Sequence, residues 1–144
     1  MTVNTIQGVA NTDATTLLGT VGADTVEIKT NNIYAAVLRG NDTIYVKSSV
    51  ENLIIDTSED DDNVAFSAEV LSAKVTLGLG NDTITTQDFI GSIYGGAGDD
   101  LLVMGPGRTL TNTLVQGNGG HDTFNLVNVS NTIINTNADD DNIS

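Results

Sequence analysis

The sequence predicts an all-β fold, a parallel β-solenoid of about seven coils of 18–22 residues with two short strands in each coil. Three observations predict it. Asp24, Asp42, Asp62, Asp82, Asp100, Asp122 and Asp141 are separated by 18, 20, 20, 18, 22 and 19 residues, a near-constant period of the kind that stacked repeats produce. Two apolar columns keep step with that period. One lies two residues after each Asp (Val26, Ile44, Val64, Ile84, Leu102, Phe124, Ile143) and the other seven residues before it (Leu17, Ala35, Ile55, Val75, Ile93, Val115, Ile134). Finally, the local pattern is strand: Thr43–Val46 (TIYV) and Thr123–Leu126 (TFNL) alternate with period two, and the GND, GDD and DDD groups between such segments are turn formers.

Taken in order, residues 1–14 (MTVNTIQGVANTDA) resemble part of a coil around Val3–Ile6 without the later spacing, and are read as an N-terminal cap or irregular first coil. Residues 15–144 form the solenoid. In each coil the Asp opens a first strand, a far turn follows, and a second strand leads into the next Asp loop. A looser apolar column, Val50, Leu71, Ile90, Leu110 and Val129, marks the far turn. The variation in coil length falls between the first strand and this turn, so the Asp side of the coil is constant in length. Stacked in parallel at about 4.8 Å, seven coils make a rod about 30 Å long.

Composition narrows the function. The formal charge of −14, from 19 acidic and 5 basic residues, repels a phosphate backbone and offers no basic patch to anionic lipid, which excludes nucleic-acid and membrane-surface binding. No run approaches the ~20 apolar residues that span a bilayer. With 3 Tyr, 3 Phe and no Trp, the core is expected to be a thin stack of aliphatic side chains. There are no cysteines, hence no disulfides and no thiolate metal sites. Residues 1–10 lack the basic and apolar regions of a classical signal peptide, so an extracellular, cell-surface or virion location implies another route of export.

The loops carry the chemistry. Gly95–Val103 (GGAGDDLLV) fits the pattern G-G-x-G-x-D-x-U-x, with U an aliphatic or aromatic residue. Glycines let the backbone take positive φ and turn its carbonyls inward, and the Asp adds a hard anionic oxygen of the kind calcium prefers. One loop cannot supply six to eight oxygens, so a site needs two stacked loops. The expected ligands are Asp24, Asp42, Asp62, Asp82, Asp100, Asp122 and Asp141, with backbone from Gly40, Gly78, Gly80, Gly96, Gly98, Gly117 and Gly119. The pairs Asp82 with Asp100 and Asp100 with Asp122 join the most glycine-rich neighbours. Ser58–Asp62 (SEDDD) and Asn137–Asp141 (NADDD) depart from the pattern by placing Asp60 and Asp139 where Gly is expected, so these loops are expected either to bind calcium through an extra carboxylate in an altered geometry or to bind it weakly. Asp60 and Asp61 also offer substitutes for Asp62, so Asp100→Ala is expected to be the more damaging change. The competing reading is a metal-free solenoid in which GND and GDD are ordinary turns. Against it stands the repulsion of Asp carboxylates stacked roughly 5 Å apart without cations between them.

Residues 15–144 resemble the RTX, or haemolysin-type, calcium-binding repeat family, most closely at Gly95–Val103 and Gly117–Asn125. The resemblance implies a right-handed parallel β-roll, Ca2+ held between Asp side chains and loop carbonyls of successive coils, and folding driven by extracellular calcium. Family members carry the motif in both half-coils. Here the second half-coil has Lys47-Ser48-Ser49 or Thr86-Gln87-Asp88 instead, so a single row of calcium is expected.

The expected function is that of a non-enzymatic structural or adhesive module, a rod stiffened by calcium. Ice binding, found in a subfamily with an outward Thr beside each loop, is disfavoured because that position reads Val21, Arg39, Glu59, Leu79, Ala97, Gly119 and Ala138. Binding of a surface polysaccharide is the alternative, with Tyr34, Tyr45 and Tyr94 as stacking residues. An enzyme is not expected: the cations Lys29, Arg39, Lys47, Lys74 and Arg108 are scattered, and the single histidine, His121, occupies a wildcard turn position. Because Ser130–Ser144 stays repeat-like to the end, a homo-oligomer or end-to-end filament is a further expectation, with a calcium site completed across the junction and contacts through Tyr34, Ile54, Leu114 and Ile133.

Overall fold

The computed structural model describes residues 4–7 and 15–144, and within them the elements are strands alone. In chain order they are β1 (Asn4–Gln7), β2 (Thr15–Leu18), β3 (Asp24–Ile28), β4 (Ile33–Ala36), β5 (Thr43–Val46) and β6 (Val50–Asp56). Then come β7 (Asn63–Phe66), β8 (Val70–Leu79), β9 (Thr83–Thr86), β10 (Phe89–Ala97), β11 (Leu101–Met104) and β12 (Thr109–Thr111). The last are β13 (Leu114–Gly119), β14 (Thr123–Asn125), β15 (Asn128–Ser130), β16 (Ile133–Asn137) and β17 (Asn142–Ile143). The strands that follow each Asp loop form one eight-stranded sheet in the order β1-β3-β5-β7-β9-β11-β14-β17. The return strands form a second, nine-stranded sheet running from β2 through β4, β6, β8 and β10 to β12, β13, β15 and β16. All pairings are parallel, as required of a chain that winds in one sense. The expected parallel β-solenoid is the observed fold, and residues 4–7 add a rung before the first full coil, with Asn4 opposite Asp24. The rest of the first 14 residues lies outside the described part.

Strand register brings both apolar columns into line. Val26, Ile44, Val64, Ile84, Leu102 and Phe124 pair rung by rung in the first sheet, and Leu17, Ala35, Ile55, Val75, Ile93 and Val115 in the second. All of these side chains are buried, and a second inward row, Ile28, Val46, Phe66 and Met104, fills the space behind the first sheet's column. The core is thus a ribbon of aliphatic side chains one coil wide. Phe66 and Phe89 meet edge to face at 5.6 Å and 71°.

Two expectations need correction. The far-turn column is Val50, Val70, Phe89, Leu110 and Val129, as register shows, and Leu71 and Ile90 stand one residue outside it. Both candidates in each pair are apolar, and only the pleat decides which one points inward: Val70 and Phe89 are buried while Leu71 is 39% exposed. The return strands are also longer than the short strands expected, up to ten residues in β8, because they bend round the far turn and continue into the loop. That bend uses a column of residues with positive φ, namely Asn32, Asn52, Ser72, Asn112 and Asn131. Their side chains form a short ladder, Asn52 Nδ2 donating to Asn32 Oδ1 at 3.1 Å and Asn131 Nδ2 to Asn112 Oδ1 at 2.6 Å.

Candidate metal centre

In the last five loops, before Asp62, Asp82, Asp100, Asp122 and Asp141, the chain passes through two left-handed residues, at the second and fourth motif positions, and before Asp42 through Gly40 at the fourth alone. The second is Ser58, Gly78, Gly96, Asn118 or Asn137, and the fourth is Asp60, Gly80, Gly98, Gly120 or Asp139. Glycine is required in the middle of the array because carbonyls of one loop press on the Cα atoms of the next. A Cβ on Gly96 would lie 1.9 Å from the Gly78 carbonyl oxygen, and one on Gly98 would lie 2.0 Å from that of Gly80. Asp60 and Asp139 adopt the same left-handed geometry, and each uses its side chain to accept the amide of the preceding coil's fourth residue, Gly40 at 2.9 Å and Gly120 at 3.3 Å. At the first position, Gly117 is where the sequence placed it. Gly119 stands at the third position with open space where its Cβ would be, and the fourth is filled by Gly120, which the sequence reading passed over.

The seven Asp residues form one continuous ladder along the inner side of the loops. The backbone N–H of each donates to Oδ1 of the Asp one coil later: Asp24 to Asp42 at 2.6 Å, Asp42 to Asp62 at 2.8 Å, Asp62 to Asp82 at 2.7 Å. The series continues from Asp82 to Asp100 at 2.9 Å, Asp100 to Asp122 at 3.0 Å, and Asp122 to Asp141 at 2.8 Å. The first six side chains are buried, between 1% and 5% exposed. At Asp24 the second oxygen accepts the Thr20 amide. At Asp42, Asp62, Asp82, Asp100, Asp122 and Asp141 the Oδ2 atom is buried without any hydrogen-bond partner.

At Asp100 and Asp122 that second oxygen faces the glycine at the first position of its own loop. A Cβ on Gly95 would sit 2.3 Å from Asp100 Oδ2 and 2.8 Å from the Gly117 carbonyl oxygen, and one on Gly117 would sit 2.0 Å from Asp122 Oδ2 and 3.0 Å from the Thr136 carbonyl oxygen. A free carboxylate oxygen and a carbonyl of the following coil therefore lie against the same point. Burial pushes Asp42 and Asp82 up to about 6 and Asp62 and Asp100 up to about 7. Asp122 is also raised by burial. Neighbouring carboxylates add to the effect at each of the five, while the amide on Oδ1 opposes it; the Thr57 hydroxyl beside Asp62 adds nothing lasting to that opposition, because its one proton is donated to the Leu77 carbonyl at 2.5 Å.

A second ladder, on the outer rim, was not foreseen. The fifth motif position accepts from the coil that follows: Asp61 Oδ1 takes the Asn81 amide, Asn81 Oδ1 the Asp99 amide and Asp99 Oδ1 the His121 amide, each at 2.8 Å. The sequence signal was present, since that wildcard position holds Asn41, Asp61, Asn81, Asp99 and Asp140, short side chains that reach a neighbouring amide. His121 itself is exposed, with Nδ1 3.1 Å from the Asp140 carbonyl oxygen. That contact, with Asp99, Asp139 and Asp140 nearby, raises its pKa.

The donors suit a hard cation: unpartnered carboxylate oxygens and peptide carbonyls, with no sulfur. Among the described residues no three acidic or histidine side chains gather at one point, so an ion here would have at most two carboxylates and would need loop carbonyls or water for its remaining oxygens. Calcium accepts such mixed sets of six to eight oxygens. No family model, curated protein or solved structure matches this chain.

Proposed function

We propose that this chain is a calcium-binding β-roll module of RTX type, a non-enzymatic rod of a secreted, cell-surface or virion protein stiffened by a single row of ions between coils. The observation that carries the reading is the row of six buried Asp Oδ2 atoms without a hydrogen-bond partner. Buried polar atoms in native proteins are satisfied, and a buried charge without a partner is costly. Three conditions relieve that cost: a proton on each carboxyl, an opened loop, or a cation.

Only the cation leaves the ladder both ionised and closed at neutral pH. Bound calcium supplies the positive charge that offsets the stacked carboxylates. The chain's own residues do the rest. Asp82, Asp100 and Asp122 offer the free oxygens, Gly117 and Thr136 offer carbonyls, and the left-handed glycines let successive loops approach closely enough to share an ion. The far turns carry Asn32, Asn52, Ser72, Asn112 and Asn131 in place of a second carboxylate row, which supports one line of ions rather than two.

The test is a circular-dichroism melt of the full chain in calcium and in chelator, followed by counting bound calcium in the folded protein. A rise in melting temperature with several ions bound per chain is expected. Identical melting in the two conditions, with no bound ion, rejects the reading.

A further inference from the structure

In a chain of charge −14, four of the five cations are paired with carboxylates: Lys29 and Lys47 with Glu27, Arg39 with Glu59, and Arg108 with Asp88. Lys74 alone has no ion pair among the described residues. It lies in the outward row Tyr34, Ile54, Lys74, Ser92, Leu114 of the second sheet, with Nζ 5.5 Å from the centre of the Tyr94 ring. Asp56, in the adjoining outward row, is turned toward the Ser58 hydroxyl at 3.5 Å.

Beside Lys74 the sheet is notched. Val70 and Lys74 are four residues apart, as are Leu110 and Leu114, but their partners Phe89 and Ser92 are three apart. The bend after Phe89 is therefore one residue shorter than in the coils on either side. Ser72 is left bulged, without a partner on β10, and the pairing shifts between Ile90 and Gly91. No side chain at residue 91 fills the gap, because Gly91 has φ 150° and a Cβ there would lie 1.9 Å from the Ala73 carbonyl oxygen. The result is an open groove of about 390 Å3 across three coils, with Ala73 and Gly91 among its floor residues and Asn52, Ile54, Ser72, Lys74 and Ser92 on its walls. The hydroxyls of Ser72 and Ser92 make no hydrogen bond to the described protein, and Asn52 uses only its amide nitrogen, on Asn32.

We propose that this groove binds a carboxylated pyranose of an acidic glycan. The unpaired ammonium matches the carboxylate. The two hydroxyls and the Asn52 carbonyl match ring hydroxyls, and Ile54 offers an apolar wall to the C–H face of the sugar. The groove is open to solvent and spans three coils, which suits a residue within a chain lying across them. Tyr34, Tyr45 and Tyr94 do not form the stacking platform that their number suggests. Tyr45 is on the other sheet, and Lys47 and Lys74 lie over the Tyr45 and Tyr94 rings at 4.6 and 5.5 Å. The groove is made by backbone register, so the proposal stands apart from the calcium reading.

The test is a titration of the isotope-labelled full chain with trigalacturonic acid at about pH 6, where the chelated chain keeps its fold, followed by amide shifts in calcium and in chelator, with maltotriose as the neutral control. Shifts confined to Ser72, Lys74, Gly91, Ser92 and their neighbours are expected with the acidic sugar only. Lys74→Gln should weaken binding roughly tenfold, the loss of one charged hydrogen bond. Lys74→Arg should retain most of it, and Lys29→Gln should leave it unchanged. Equal binding of maltotriose, absence of shifts with the acidic sugar in calcium, or shifts at the Asp loops that persist in Lys74→Gln would each overturn the proposal. The last result would mark a sugar held through loop-bound calcium instead.

Discussion

A pH series of stability with calcium chelated isolates the Asp ladder. Asp42 and Asp82 are raised from an ordinary 3.8 to about 6, and Asp62 and Asp100 to about 7, with burial the largest cause in each case. Each folded carboxyl thus holds its proton more tightly than the unfolded chain does. Between about pH 4 and pH 7 the folded state binds more protons, so stability falls as pH rises, and the contribution present below the unfolded value is lost above the folded one. At about 1.4 kcal/mol per pH unit, a rise of about 2 to 3 is worth about 3–4 kcal/mol at one carboxyl. The four do not add in full, because neighbouring carboxylates raise one another, but a loss of several kcal/mol is a large part of the 5–15 kcal/mol stability of a typical domain. Chelated protein should therefore melt well above room temperature near pH 5 and lose most of its folded signal by about pH 8. With calcium the order reverses, because ionised carboxylates bind the ion and protons compete with it. Circular-dichroism melts across the pH range, in chelator and in calcium, measure both curves. A chelated stability that is flat or rises from acid to neutral pH would refute the argument from a buried, unneutralised ladder.

Three further outcomes follow from the same geometry. Asp82→Asn keeps an Oδ1 acceptor for the Asp62 amide, now at 2.7 Å, and removes one buried charge. It should raise the melting temperature in chelator at about pH 8 and lower it in calcium, by about 1–2 kcal/mol each way, and a change of the same sign in both conditions counts against the reading. Gly98→Ala forces a side chain at φ 125° onto the Gly80 carbonyl, whereas Gly119→Ala meets open space. Denaturant midpoints should show a loss above about 2 kcal/mol for the first and within about 0.5 kcal/mol of zero for the second. Asp62→Ala should cost as much as Asp100→Ala, about 2–3 kcal/mol in calcium. Asp60 and Asp61 are committed to the Gly40 and Asn81 amides and cannot stand in for Asp62. An Asp62→Ala protein with unchanged calcium binding would show that they can.

The period, the two inner columns and the Asp row were legible because each is fixed by one residue type at one spacing, and a parallel solenoid repeats that spacing in space. The far-turn column was not, since adjacent apolar residues such as Val70 and Leu71 differ only in pleat, which composition does not record. The loop glycines were legible as a class. Which glycine of GNGGHD takes positive φ depends on the carbonyl beneath it, and Gly98 O at 2.2 Å from a Cβ on Gly120 settles that only once the coils are stacked. In the sequence Asp60 reads as an extra carboxylate for calcium or a poorer stand-in for glycine. Its side chain instead works as a hydrogen-bond acceptor for the coil before it, a role that no single loop sequence displays.

The Asp residues serve the stack and the proposed ion with different atoms of one carboxylate. Oδ1 closes a hydrogen bond to the preceding coil, while Oδ2 has no hydrogen-bond partner. The inner ladder thus ties each coil to the one before it, and the outer ladder of Asp61, Asn81 and Asp99 ties each to the one after it. Removing a single Asp therefore does more than empty one place in a row. It strips the buried amide of the preceding Asp of its acceptor, for example Asp82 N–H when Asp100 is lost, and the cost falls on the N-terminal neighbour, whose own carboxylate remains intact. Loop closure in adjacent coils is coupled through that shared group, so the proposed ions would be taken up by coils acting as neighbours rather than as independent sites.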